Sequence, residues 1–176
     1  MRITRASALC CGLLLTAAAC AGIPGTAGGG ATTGGTTRTG STTPSSGTVA
    51  TDIVRYTNAA RSRNGLPALT ANAKLMEAAR LHAQQMAQYQ RAEHNISGAK
   101  YPNLLARIEA VGYDYANVAE NVAWNQRDAQ SVVNSWMNSS SHRTNILDRT
   151  LKEIGAAMAR SSIGEPYWIQ VFGTSR

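Results

Sequence analysis

Apolar and polar positions repeat with two different periods along this chain. From Asp52 to Asn64, Ile53, Tyr56 and Ala60 recur at helical spacing, with Thr51 or Asp52 as the cap. Asn64-Gly65 and Pro67 stop that helix. Ala73 to Gln90 repeats the pattern, with Leu75, Ala79, His82, Met86 and Tyr89 as the inner stripe and Thr70 or Asn72 as the cap. A third helix is expected from Asn103 to Val111, stopped by Gly112. There Leu104, Leu105, Ile108 and Val111 pack inward, while Arg107 and Glu109 face out or reach a neighbour. Tyr113 to Trp124 is strand-like or irregular. Asp128 caps a fourth helix whose inner side is Ala129, Val132, Val133, Trp136 and Met137. Lys152–Ala159 and Tyr167–Gly173 read as strands, and the turn residues Ile163-Gly164-Glu165-Pro166 make them an antiparallel hairpin. Helices first and strands late argue for an α+β fold rather than a parallel sheet.

The first fifty residues follow neither period. Met1 to Arg5 is basic, Ala6 to Thr16 is short and apolar, and Ala17-Ala18-Ala19 precedes Cys20. Residues 1–19 therefore read as a secretory signal, too short to span a bilayer as a stable helix. Small residues directly before a cysteine resemble a bacterial lipobox, with Ala17 where Leu is commoner, so Cys20 is expected to be the lipidated N-terminus. Simple cleavage after the three alanines is the alternative. Residues 20–50 are rich in Gly, Thr and Ser, a composition that cannot offset its own ordering entropy. They read as a disordered tether reaching roughly 30 Å. Residues 51–176 make one domain, long enough for a real core.

Cysteine usage supports the anchor. Cys10 and Cys11 leave with the signal, and no cysteine follows Cys20, so the domain has neither a disulfide nor a thiolate ligand. The chain carries 17 basic and 10 acidic side chains. Its surplus is scattered, and no basic run alternates with aromatics, which argues against nucleic acid. Unspecific attraction to anionic envelope polymers remains.

Candidate chemistry gathers in three stretches. His142 stands in a small, polar run just past a helical segment, free to serve as ligand or acid/base. His94 occupies a loop, Glu93-His94-Asn95, where a histidine is usually only solvated. Glu120 lies among Val118, Ala119, Val122 and Ala123, and a carboxylate there needs a partner or a metal, unless it simply accepts backbone N–H groups. His82, on a helical inner stripe, reads as a half-buried structural histidine.

These stretches in order, with Ala119-Glu120-Asn121-Val122-Ala123, the run Trp136 to Leu147, Glu153-Ile154-Gly155 and Gln170-Val171-Phe172-Gly173, resemble the bacterial branch of the CAP superfamily. Its eukaryotic relatives are cysteine-rich secretory proteins, venom antigens and plant pathogenesis-related proteins. The resemblance covers about 51 to 176. It implies a three-layer α-β-α sandwich with a small central antiparallel sheet and a broad cleft. His94 matches the family's first histidine, Glu120 its first glutamate and His142 its second histidine. Ser139 stands where a second glutamate is usual, which weakens any activity needing four groups.

Two functions follow from different classes. The resemblance implies a binding cleft, lined by His94, Glu120, Ser139 and His142, for a lipid, sterol-like molecule, peptide or glycan, with no cofactor required. The alternative is a weak metal-dependent hydrolase, with His94, His142 and Glu120 holding zinc or another divalent cation. No His-Glu-x-x-His motif supports the second. A serine hydrolase built on Ser139 or Ser141 with His142 has less behind it, since residues so close in sequence rarely form a nucleophile–base pair. The protein is expected to be a monomer, exported and lipid-anchored in a bacterial envelope.

Overall fold

A computed structural model describes residues 46–176. The signal, Cys20 and most of the expected tether lie outside the described residues. Nine elements follow in order: α1 (Ser46–Arg63), β1 (Thr70–Ala71), α2 (Ala73–Tyr89), α3 (Leu104–Ala110), β2 (Tyr115–Trp124), α4 (Ala129–Asn138), α5 (Ser140–Leu147), β3 (Glu153–Arg160) and β4 (Pro166–Ser175). The fold is α+β, and the four strands form one sheet in the order β1-β3-β4-β2.

The β3–β4 hairpin is antiparallel, with Ala157 opposite Ile169, and β2 pairs antiparallel with β4, with Glu120 opposite Val171. The short β1, which the sequence pattern does not show, joins β3 in parallel. Alternation along β4 divides the core. Tyr167, Ile169 and Val171 pack with Leu75, Ala79, Met86 and Ile108 from α2 and α3. Trp168 and Phe172 pack with Ile53, Val133, Trp136 and Ile146 from α1, α4 and α5. The result is a helix layer on each face of the sheet.

Caps set the helix starts. Asn72 accepts the Lys74 and Leu75 N–H groups, Asn103 that of Ala106, and Asp128 forms a capping box with Ser131. Three expectations need correction. Thr51 and Asp52 do not cap α1, because the helix begins at Ser46 and Val49 is already buried, so the ordered domain extends into the stretch read as tether. Leu105 is 47% exposed and Tyr89 38% exposed, both outside the inner stripes. Tyr89 instead gives its hydroxyl to the Gly98 carbonyl at 2.9 Å.

Two glycines permit close approach between layers. A Cβ on Gly155 would overlap the Leu75 carbonyl, where α2 lies directly on β3. A Cβ on Gly173 would strike the ring of Tyr113, whose hydroxyl donates to Glu153 at 2.5 Å. Since the Gly155 obstacle is backbone, Gly155→Ala must separate a helix from the sheet. The expected loss is about 1–3 kcal/mol or more, read as a lower urea midpoint at unchanged slope.

Candidate functional site

Strand β2 forms one edge of the sheet, and its successive side chains point to opposite faces. Glu120 faces α2 and α3. Asn121, the next residue, faces α5. The candidate residues therefore assemble on both sides of one strand edge.

On the first side, Glu120 is buried and its two oxygens are taken separately. Arg107, fully buried on α3, donates Nη2 to Oε2 at 2.8 Å. His94, on the α2–α3 connection and 52% exposed in its side chain, places Nδ1 2.9 Å from Oε1. A carboxylate only accepts, so His94 Nδ1 carries the hydrogen. Arg107 also holds the backbone here, donating to the His94 and Tyr101 carbonyls at 3.2 Å each. Behind them His82 is fully buried, with Nε2 donating to the Glu93 carbonyl at 2.9 Å and lying 3.8 Å from Glu120 Oε1. Among the described residues its Nδ1 has no hydrogen-bond partner.

Charge follows from these contacts. Burial disfavours the Glu120 carboxylate, but the His94 hydrogen bond and then the Arg107 charge outweigh it, and its pKa falls below the ordinary value. His94 is raised by the hydrogen bond to Glu120, against the opposing effect of burial. Burial pushes His82 down to about 4, so it is neutral at pH 7.

On the second side, the helix of α4 breaks at Ser139, whose backbone is extended (φ −97°, ψ 124°). His142 thus stands past α4, as expected, but inside a further helix, α5. That helix escapes pattern reading because only Ile146 of its eight residues is buried. Ser139 Oγ lies 2.9 Å from His142 Nδ1 and 3.3 Å from Ser141 Oγ. So the serine and histidine do meet, despite their closeness in sequence, because Ser139 precedes the first turn and His142 sits in it. Burial, then the neighbouring His94 charge, lowers the His142 pKa.

A polar chain holds α5 to the sheet. Asn121 Nδ2 donates to the His142 carbonyl at 3.1 Å and to Gln170 Oε1 at 3.2 Å. Gln170 in turn reaches Thr57 on α1 at 2.5 Å. Asn145 spans the edge, donating to Asn121 Oδ1 at 2.9 Å and to the Glu120 carbonyl at 3.1 Å. At the far end of α5, buried Arg61 binds the Ile146 and Asp148 carbonyls at 2.8 Å each. His142 is positioned by these backbone contacts as much as by its own side chain.

Residues 54–172 match the family model described as CAP: Cysteine-rich secretory protein family. The chain belongs to this family. The uncharacterized protein YkwD of Bacillus subtilis is 32% identical over 120 residues, which is 68% of this chain and 45% of that protein. The match thus spans less than half of that relative's length. Among solved structures, an extracellular protein of Bacillus anthracis containing an SCP domain superposes with a TM-score of 0.66 at 22% identity, covering 74% of this chain and 41% of that one. An outer surface protein of Borrelia burgdorferi gives 0.64 at 19% identity, covering 70% and 90%. At these identities the two structures speak for the fold.

In this CAP domain the four candidate residues fall as two pairs on opposite faces of β2, His94 with Glu120 and Ser139 with His142. Among the described residues, no three His, Cys, Asp or Glu side chains are arranged to hold a metal ion. Glu120, which its apolar neighbours require to have a partner, finds two in Arg107 and His94. Sequence reasoning left Arg107 pointing out or toward a neighbour. Its spacing with Leu104, Ile108 and Val111 was the available signal, since it places Arg107 on the inner stripe of α3. Asn121, Asn145 and Gln170 gave no comparable sign.

His82 sets an acid sensitivity. Its folded pKa, about 4, lies below the ordinary value of 6.5, so the unfolded chain binds the extra proton between these limits. Stability should fall as pH drops through that window, by on the order of 3 kcal/mol. The depressed carboxylates, Glu120 included, lose their contribution only below the ordinary carboxylate range. Urea unfolding of wild type and His82→Gln from pH 7 to 4.5 separates the two effects, and the variant should show a flatter profile.

Proposed function

We propose that this is an exported, membrane-tethered CAP-domain protein whose cleft binds a small ligand, lipid, sterol-like, peptide or glycan, without catalysing a reaction. The observation that carries the reading is the engagement of Glu120. A general base needs a proton affinity near the working pH and a free oxygen. Glu120 has a depressed pKa, and its oxygens face Arg107 and His94. Ser139 supplies no second carboxylate. The cleft therefore offers two oriented imidazoles and hydroxyls, a recognition surface rather than an acid–base pair. Export is supported by the signal-like residues 1–19, and by neighbours described as extracellular and outer surface proteins. Lipidation of Cys20 anchors the chain.

The donor set fits a divalent cation in reduced form. His94 and His142 each have Nδ1 engaged, by Glu120 and Ser139, so Nε2 of each ring is the nitrogen left to bind. Such a cation would supply a positive charge for a ligand's oxygen. Glu120 orients His94 from behind, and Ser139 orients His142.

Native mass spectrometry of the exported chain tests the main reading. A noncovalent ligand mass present in wild type should be lost in His94→Ala and His142→Ala. Turnover of ester, peptide or glycan substrates dependent on either histidine would overturn it. Zinc titration by calorimetry addresses the cation. Binding should be tighter at pH 7.5 than at 5.5, because the imidazoles must lose protons. Glu120→Gln should weaken it about 10- to 100-fold, and identical binding in wild type and both histidine variants would remove the site. For the anchor, wild type should partition into detergent and Cys20→Ser into water.

A further inference from the structure

The end of the sheet that carries the β3–β4 turn has an exposed apolar tip. Ile163, in the turn, is 69% exposed, the highest of any large apolar side chain among the described residues. Trp124, the last residue of β2, is 46% exposed, whereas Trp136 and Trp168 are buried. The ladder brings these places to one end, with Arg160 opposite Pro166 and Trp124 opposite Tyr167. The Asn125 N–H closes that end by donating to the Pro166 carbonyl at 3.0 Å. Asn125, Gln126, Arg127, Arg160 and Ile163 border one shallow hollow there.

The start of α1 points the same way. Thr57, in mid-helix, meets Gln170, which stands opposite Ala156. Ala50, two turns earlier, borders one hollow together with Ala156, Ala157 and Met158. Toward its first residue, then, α1 advances along β3 in the direction of Arg160. The described chain therefore starts, at Ser46, toward the end of the sheet that carries Trp124 and Ile163.

We propose that this end of the sheet is a membrane-docking face, with Ile163 and Trp124 inserting into the interface of the bilayer that holds the Cys20 anchor. The proposal rests on the reading of Cys20 as lipidated. A turn-tip aliphatic and one tryptophan are too small for a stable protein interface, which buries about 800 Å² per partner. They suffice for a bilayer when a tether already keeps the domain at high local concentration beside it. Tryptophan suits the interfacial layer, where an apolar ring meets a polar environment. Charges at the rim have both signs: Arg127 pairs with Asp128 at 3.0 Å, Arg160 donates to the Gly164 carbonyl at 2.7 Å, and Glu165 is nearby. Docking therefore depends on insertion rather than on lipid charge.

The test uses the full chain, produced with its lipid and reconstituted in phosphatidylcholine vesicles with and without phosphatidylglycerol. Flotation of wild type against Cys20→Ser reports the anchor. Quenching of tryptophan fluorescence by brominated acyl chains reports docking, with Trp124→Phe giving the background from the buried tryptophans. We expect quenching of wild type in both vesicle types, little changed by salt, and background quenching in Ile163→Asp, which still floats. Wild type that floats but shows only background quenching overturns the docking face and leaves the anchor standing. If wild type does not float, the anchor reading fails. Docking is then decided by Cys20→Ser at high lipid concentration, where background quenching overturns it and quenching lost in Ile163→Asp upholds it.

Discussion

An ionised carboxylate without water is the constraint on which the cleft depends. Glu120 sits in the middle of an edge strand, and exposing it to an apolar layer alone would force it to protonate. Arg107 prevents this, but only if α3 packs with its arginine inward, at the expense of another apolar contact. Arg107 then has donors to spare, and they bind the carbonyls of His94 and Tyr101. The connection between α2 and α3 is thus ordered by the same cation that neutralises Glu120. His94 completes the set, and its ring orientation follows from Glu120 rather than from the loop that carries it. Removing one member of such a buried pair leaves a stranded charge, which is why it is costlier to break than its net worth suggests.

On the opposite face the contacts around His142 are neutral, and the buried cation Arg61 holds only the far end of α5. Asn121, Gln170, Thr57 and Asn145 are amides and a hydroxyl, and they place α5 through its backbone carbonyl at His142. The histidine there keeps a small, adaptable partner in Ser139, whose hydroxyl can donate or accept. The ring that faces Glu120 has its hydrogen assigned by a carboxylate, while the ring that faces Ser139 does not.

Periodicity revealed the helices with a continuous apolar stripe and the strands of the closing hairpin. α2, α4 and the β3–β4 pair stand where Leu75 to Met86, Val132 to Trp136 and Tyr167 to Phe172 place them. It could not reveal α5, whose apolar residues are confined to Ile146 and Leu147 at its end, or β1, two residues held by β3 alone. The need of Glu120 for a partner was readable from its apolar neighbours, but not the partner's identity. Arg107 was masked because a charged residue in an amphipathic helix is ordinarily assigned to solvent. The contacts of Asn121 and Gln170 depend on strand register, which pairs positions 49 residues apart.

Because Glu120 and Asn121 are adjacent in sequence but point to opposite faces, the two histidines are held like the jaws of a vice on either side of one strand. One jaw, carrying His94, is clamped by an ion pair and tolerates little change. The other, carrying His142, is hung on neutral amides and finished by a single serine. Exchanging the residue at position 139 for a larger or acidic one would refit the second jaw while the first stays where Arg107 holds it. A fold built this way can change the chemistry at this edge without re-engineering how it stands.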